Sequence, residues 1–185
     1  MKRIFDFFLA ILIGIVFLLP LIVIAILIKI SSKGGVIHWS RRIGKNNKEF
    51  LMPKFRTMKI NTPHVATHLL TNPQSHLTLV GTFLRKTSLD ELPQIYSIIK
   101  GDMSFVGPRP ALFNQYDLIK LRNKNHIDKL IPGITGLAQI NGRDSLTIPE
   151  KVEYEIEYIK KKSFFFDVYL IILTIIRVNK KNISH

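Results

Sequence analysis

Cysteine is absent from the 185 residues. That excludes disulfides, a thiol nucleophile, and zinc or iron–sulfur centres built on thiolates. Acidic residues are scarce: 13 Asp and Glu face 27 Lys and Arg, a net charge of +14. A surface of that sign repels cations and attracts polyanions, whether nucleic acid, anionic lipid head groups or phosphorylated small molecules. Charge alone does not choose among the three. No internal repeat is apparent, so a repeat architecture is excluded. At this length the chain reads as one domain, with room for an appended segment. Residues 60–84 contain no Asp, Glu, Lys or Arg. His64, His68 and His76 lie there near Pro63 and Pro73, which marks loop histidines rather than a metal-ligand pattern.

Apolar residues, in contrast, are concentrated at the start. Phe7 to Ile28 is a run of 22 residues with no charged side chain. About 20 such residues cross a bilayer core as a helix. The run is too long for the apolar part of a cleaved signal peptide, and no small-x-small cleavage site follows it. Lys2 and Arg3 precede it, and Lys29, Lys33, Arg41, Arg42, Lys45 and Lys48 follow. The positive-inside rule therefore puts both flanks on the cytoplasmic side. Pro20, near the middle, removes a backbone donor and clashes with the preceding turn, so it can bend the helix. Charge and proline alone fit either a bent helix that enters and leaves by one face or a spanning helix with a tolerated proline.

Beyond a polar break at Ser31–Gly35, Val36–Arg42 and Glu49–Met58 read as two strands. The turn-forming IGKNNK between them makes a β-hairpin, with Pro53 at an edge or a bulge. Leu92–Lys100 has apolar residues at 92, 95, 98 and 99, a helical spacing that Gly101 would stop. Pro110–Leu130 reads as a basic helix started by its proline, and Ile131–Ser145 as a Gly-rich loop. Pro149 opens a charged helix with Glu early and Lys late, the order the helix dipole favours. Ser163–Val178 is too densely apolar for a surface helix, which leaves core or membrane interface, with Lys160–Lys162 on lipid phosphates.

Asp90 and Glu91 stand side by side in TSLDELPQ. Ser88 and Glu91 have capping-box spacing, and Asp90 in a first turn would favour the helix dipole. If Pro93 holds the first helical position, both acids lie just before the helix. The surrounding residues give a second reading. Arg85 and Lys86 lie just upstream, Arg109 lies between Pro108 and Pro110, Lys54 and Arg56 are on the hairpin, and Arg143 follows Asn141-Gly142. Singly, each is a solvated charge. Together, with the N–H groups of Gly101, Gly107, Gly133, Gly136 and Gly142, they are the parts of a diphosphate site. Carboxylates among them suit Mg²⁺, which binds few carboxylates plus substrate phosphates. A carboxylate can also attack phosphorus. A basic, membrane-anchored binding module explains the charge equally well, but not the acids Asp90, Glu91 and Asp102 inside the basic region.

KFRTM (Lys54–Met58), LRKTSLDELPQ (Leu84–Gln94), GDMSFVGPRP (Gly101–Pro110) and PGITGLAQINGR (Pro132–Arg143) resemble the blocks of the bacterial sugar transferase family, the small membrane-bound phosphoglycosyl transferases. The basic start KRIFDF, the proline-bent run and YIKKKSFFFDVYLIILT extend the resemblance over almost the whole chain. It implies an α+β, mainly helical fold. Residues 1–33 would form a re-entrant membrane helix broken at Pro20. Residues 34–185 would form a cytosolic catalytic domain with the small hairpin and amphipathic interfacial helices, the last at 163–178. The implied reaction moves a sugar 1-phosphate from a UDP-sugar to polyprenyl (undecaprenyl) phosphate. UMP leaves, as the first membrane step of glycoconjugate synthesis at the cytoplasmic face of the bacterial inner membrane. Asp90 matches the nucleophile and Glu91 its partner, and the two hold Mg²⁺. Arg85, Arg109 and Arg143 match arginines near the phosphates and nucleotide; Lys54 is a weaker match. Asp167 matches an aspartate of the C-terminal helix with a structural or active-site role. The implied partners are the UDP-sugar, polyprenyl phosphate and anionic lipids, with no nucleic acid; a homodimer stays open. The family often has Ser-Pro at the helix break. Here the pair is Leu19-Pro20, so the hydroxyl that could bond freed backbone groups is missing.

Overall fold

The computed structural model describes residues 2–62, 72–142 and 145–183, with the backbone alone at 73 and 178–183. The apolar run forms two helices, α1 (Lys2–Val16) and α2 (Leu18–Ser31), bent by 62° at Phe17. The bend therefore sits three residues before Pro20, where the sequence predicts it. A proline disturbs the carbonyl four residues back, by ring clash and by the missing N–H. For Pro20 that carbonyl is on Val16, the last residue of α1. Regular bonds resume on each side, Phe17 N–H to Ile13 O and Leu21 N–H to Phe17 O, both 2.9 Å. Among the described residues no single helix is long and apolar enough to cross a membrane, but the bent pair together meets that test.

Both helices are amphipathic in use, though not in composition. Ala10 of α1 is fully buried in a core shared with Met52, Ile98, Val106, Tyr158 and Leu170. Ile24 and Ile28 of α2 pack with Phe55 and Leu84. Phe8, Leu12, Ile15, Leu19, Ile26 and Ile30 face outward, each more than half exposed. Both ends of the pair are fastened. Arg3 donates to the carbonyls of Ile98 and Ile99. Arg56 donates to those of Lys33 at 2.6 Å and Ser32 at 3.0 Å.

The predicted hairpin is present. β1 (Ile37–Ile43) and β2 (Glu49–Phe55) pair antiparallel, with Asn46 and Asn47 supplying the positive φ of the turn. β1 pairs on its other side with Ala111–Leu112, so β2 and its Pro53 lie at the sheet edge, where the missing N–H breaks no ladder. α3 (Leu79–Thr87) follows, capped by Thr78, whose hydroxyl accepts from Gly81 N–H at 2.9 Å. A 3₁₀ turn (Leu89–Gln94) leads into α4 (Ile95–Lys100), which ends at Gly101 with φ of 102°.

Two expectations fail in the next segment. Pro110 does not start a helix: β3 (Ser104–Val106) and β4 (Ala111–Leu112) come first, and α5 runs only from Tyr116 to Lys124. β4 is held by pairing with β1, a long-range contact that local pattern does not contain. The expected loop at 131–145 contains β5 (Gly133–Thr135), parallel to β3, and α6 (Leu137–Asn141). Glycine permits that pairing: a Cβ on Gly133 would lie 2.1 Å from Gly107 N. α7 (Ile148–Lys161) opens with a capping box between Thr147 and Glu150, and α8 (Phe164–Ile183) closes the fold. The architecture is α+β and mainly helical, as the resemblance implies.

Gly81 is the tightest contact between α3 and the end of the hairpin. A Cβ there would meet Thr57 O at 2.0 Å and Thr57 C at 2.7 Å, backbone against backbone. Gly81→Ala should lower stability by about 1–3 kcal/mol, the usual cost of overpacking. Chemical denaturation in detergent measures this, with exposed Thr82→Ala staying near the parent.

Candidate active site

Asp90 and Glu91 lie in the 3₁₀ turn between α3 and α4, 8% and 9% exposed. Ser88 is not their helix cap. It takes a left-handed conformation (φ 58°) that ends α3, and its side chain caps nothing. Only backbone joins the two positions, Glu91 N–H to Ser88 O at 3.2 Å. Pro93 falls inside the turn, so both acids precede α4.

The turn packs on β2, and that contact aims Lys54 inward. Lys54 Nζ donates to Glu91 Oε1 at 3.0 Å. Arg109, from the β3–β4 loop, donates to the same oxygen at 3.0 Å. The Lys54 and Glu91 side chains are 16% and 11% exposed, so water screens the pair little. Burial pulls the Lys54 ammonium below its ordinary pKa; Glu91 and Asp90 oppose this, while Arg109 and Arg42 add to it. Among the described residues five charges thus act on one spot, three cations and two carboxylates. Such a surplus suits a diphosphate.

Arg85 stands in the last turn of α3, directly before the acids, and its Nε donates to Thr57 Oγ1 at 3.0 Å. Arg143 lies outside the described residues. Asp167 sits in a separate buried group. It accepts from Tyr158 Oη at 2.7 Å and pairs with Lys2, tying α8 to α7 and α1. Burial and Asp167 push the Tyr158 hydroxyl well above its ordinary pKa. Asp102 pairs with Lys100 at the surface, 2.8 Å away. The glycine N–H groups are less available than the sequence suggests. Gly101 donates to Ser97 O, Gly107 to Thr135 O and Gly133 to Pro108 O.

Among the described residues no group of three or more His, Asp or Glu could hold a metal. Asp90 and Glu91 suit only a cation that takes its other ligands from substrate phosphate and water, as Mg²⁺ does. The sequence reading also missed Arg42, Arg122 and Glu155 as structural partners of the site. Arg42 Nη1 donates to Pro110 O at 3.0 Å. Glu155 was detectable: Val152, Glu155 and Tyr158 form one buried stripe at helical spacing, with a carboxylate inside it.

Lys54 makes stability depend on pH in a definite direction. Its folded pKa lies below 10.5. Between that lowered value and 10.5 the unfolded chain binds more protons, so this residue's contribution rises with pH. Lys54→Met removes the term. The stability of the parent relative to Lys54→Met should therefore climb across that window in chemical denaturation, and a flat difference contradicts the burial.

A family model described as bacterial sugar transferase matches residues 1–181. The UDP-glucose:undecaprenyl-phosphate glucose-1-phosphate transferase of Escherichia coli (strain K12) is 42% identical over 191 residues, covering 97% of this chain and 41% of that protein. The exopolysaccharide production protein ExoY of Sinorhizobium fredii is 36% identical over 190 residues, covering 94% of this chain and 83% of that protein. The UDP-galactose-lipid carrier transferase of Erwinia amylovora is 34% identical over 200 residues, covering 98% and 41%. The chain thus spans well under half of the glucose-1-phosphate and UDP-galactose relatives and most of ExoY. With the match running over residues 1–181, and with the acid pair buried among cations inside it, the chain belongs to the bacterial sugar transferase family.

Proposed function

We propose that the chain transfers a sugar 1-phosphate from a UDP-sugar to polyprenyl phosphate through a covalent intermediate on Asp90. The observation that carries this reading is the buried Asp90–Glu91 pair with Lys54 and Arg109 closed on Glu91. An oxygen of the Asp90 carboxylate attacks the sugar-bearing phosphorus. The bond from that phosphorus to the bridging oxygen breaks, and UMP leaves with the electron pair. A phosphate oxygen of the polyprenyl phosphate then attacks the same phosphorus and releases Asp90. The product is polyprenyl diphosphosugar. Glu91, fixed by two cations, orients the site. Arg109 and Arg85, both positive near the acids, would stabilise developing phosphate charge. Mg²⁺, held by Asp90 and Glu91, would neutralise charge on the diphosphate.

The same reading places the bent α1–α2 pair as a re-entrant membrane segment. The domain then lies on the cytoplasmic face of the bacterial inner membrane. Its support is threefold: the exposed apolar faces of both helices, their two ends fastened to one body, and an exposed apolar stripe on α8. That stripe includes Phe165, Tyr169, Ile172 and Ile175. Exposed Lys29, Lys33, Lys45 and Lys48 are available to anionic lipid. The sugar stays open, since the relatives' names include both glucose and galactose.

UMP release from UDP-sugars, with polyprenyl phosphate as acceptor, tests the activity across a panel of sugars. Asp90→Asn should lower it by roughly a thousandfold or more and abolish labelling of the protein by a radiolabelled donor. EDTA should stop release and Mg²⁺ restore it. Full activity in Asp90→Asn sinks the nucleophile assignment. For topology, a cysteine added ahead of Met1 and a Gly35→Cys variant should both react with an impermeant reagent from one side. Labelling from opposite sides rules out the re-entrant segment.

A further inference from the structure

Two buried charged residues have no part in the chemistry above: Arg122 of α5, 9% exposed, and Glu155 of α7, 3% exposed. Arg122 holds the carboxylate with two nitrogens, Nε to Oε2 at 2.8 Å and Nη2 to Oε1. The same Nη2 donates to the backbone carbonyl of Arg109 at 3.0 Å. Arg42, on β1, grips the next carbonyl, Pro110 O, at 3.0 Å. Two successive carbonyls are therefore held by arginines from two different elements. The Arg109 side chain leaves for Glu91 from the Cα directly preceding the first of them.

The segment is also held on either side of Arg109: Gly107 N–H donates to Thr135 O, Gly133 N–H donates to Pro108 O, and β4 pairs with β1. Pro108 and Pro110 have no N–H, so at those positions it can be fastened only through carbonyls. A small open pocket of about 30 Å³ adjoins it, lined by Gly44, Pro108, Arg122 and Asp128 among others. Stability does not explain the ion pair. A buried salt bridge is on average no better than a well-packed apolar pair of similar volume. What an apolar pair cannot do is hold the Arg109 carbonyl.

We infer that the Arg122–Glu155 pair is a positioning device for Arg109, which lets α5 and α7 set the active-site geometry from behind. Glu155 locks the plane of the Arg122 guanidinium, Arg122 locks the Arg109 peptide, and that peptide fixes the reach of Arg109 to Glu91. The kinetic part of the test rests on the transferase reading; the exchange part does not.

The test uses the full chain in detergent. Arg122→Met/Glu155→Leu removes both charges, so neither is left unpaired, and its melting temperature should match the parent. UMP release should fall by roughly a hundredfold, mainly in kcat, the scale on which small displacements act. Exposed Lys120→Ala on α5 serves as the control and keeps parental kinetics. On an Arg109→Ala background the double substitution should change kcat hardly at all, because the positioned group is already gone. Deuterium uptake over residues 104–112 should rise while α4 keeps its protection. Parental kcat in the double variant, losses that multiply with Arg109→Ala, or unchanged uptake over 104–112 each overturn the inference. If the double variant does not fold, Arg122→Lys is the second test. It keeps the charge on Glu155, and it should raise uptake over 104–112 and lower kcat at parental stability. Absence of UMP release in the parent itself counts against the transferase reading, and uptake still decides the positioning role.

Discussion

Glu91 Oε1 accepts from two cations at once, Lys54 and Arg109, each at 3.0 Å. A carboxylate removed from water needs such partners, because an unpaired buried charge costs several kcal/mol. Most of the fold can be understood as the means of delivering them. The hairpin carries Lys54 to the turn. The parallel pair β3–β5 throws the β3–β4 loop outward, so that Arg109 arrives from the other side. α3 and α4 meet in a 3₁₀ turn rather than a continuous helix, which places the acids at the junction. Glu91 is thereby the point where hairpin, loop and helices meet.

The basic residues around the apolar run take a second meaning once the structure is considered. By sequence, Lys2 and Arg3 are flanking charges for a membrane segment. In the fold both bond to the protein itself. Lys2 reaches Asp167 and Val106 O, and Arg3 closes the C-terminal carbonyls of α4. Arg56, on the far side, ends α2 in the same manner. Cations at helix C-termini interact favourably with the helix dipole as well as with open carbonyls. These residues therefore clamp the α1–α2 pair to the domain, and through Ala10 α1 is part of the core.

What could be read from sequence follows the range of the interactions. The hairpin and the Gly101 stop are local patterns and appear as expected. The bend at Phe17 was displaced because a proline acts four residues upstream of itself. Ser88 misled because capping-box spacing also occurs where one helix ends in a left-handed residue and another turn begins. β4 and β5 were invisible because their partners lie far along the chain, at Ile43 and at Ser104–Val106. Gly107 and Gly133 read as loop, yet they are what the close approach of their two backbones requires. Of the site residues, Lys54, Glu91 and Arg109 converge as anticipated, and Arg85 stands beside the acids. Asp167 instead joins Lys2 and Tyr158.

Adjacent acids in a 3₁₀ turn also divide labour by geometry. With about three residues per turn, successive side chains project roughly 120° apart. Glu91 is held by the hairpin lysine and the loop arginine. Asp90, which also acts on Lys54, leaves the same turn in another direction. The 3₁₀ turn thus converts a sequence doublet into two differently directed carboxylates. A covalent phosphoryl mechanism needs that asymmetry. Its nucleophile must meet phosphorus while its neighbour holds the charges that steady the diphosphate.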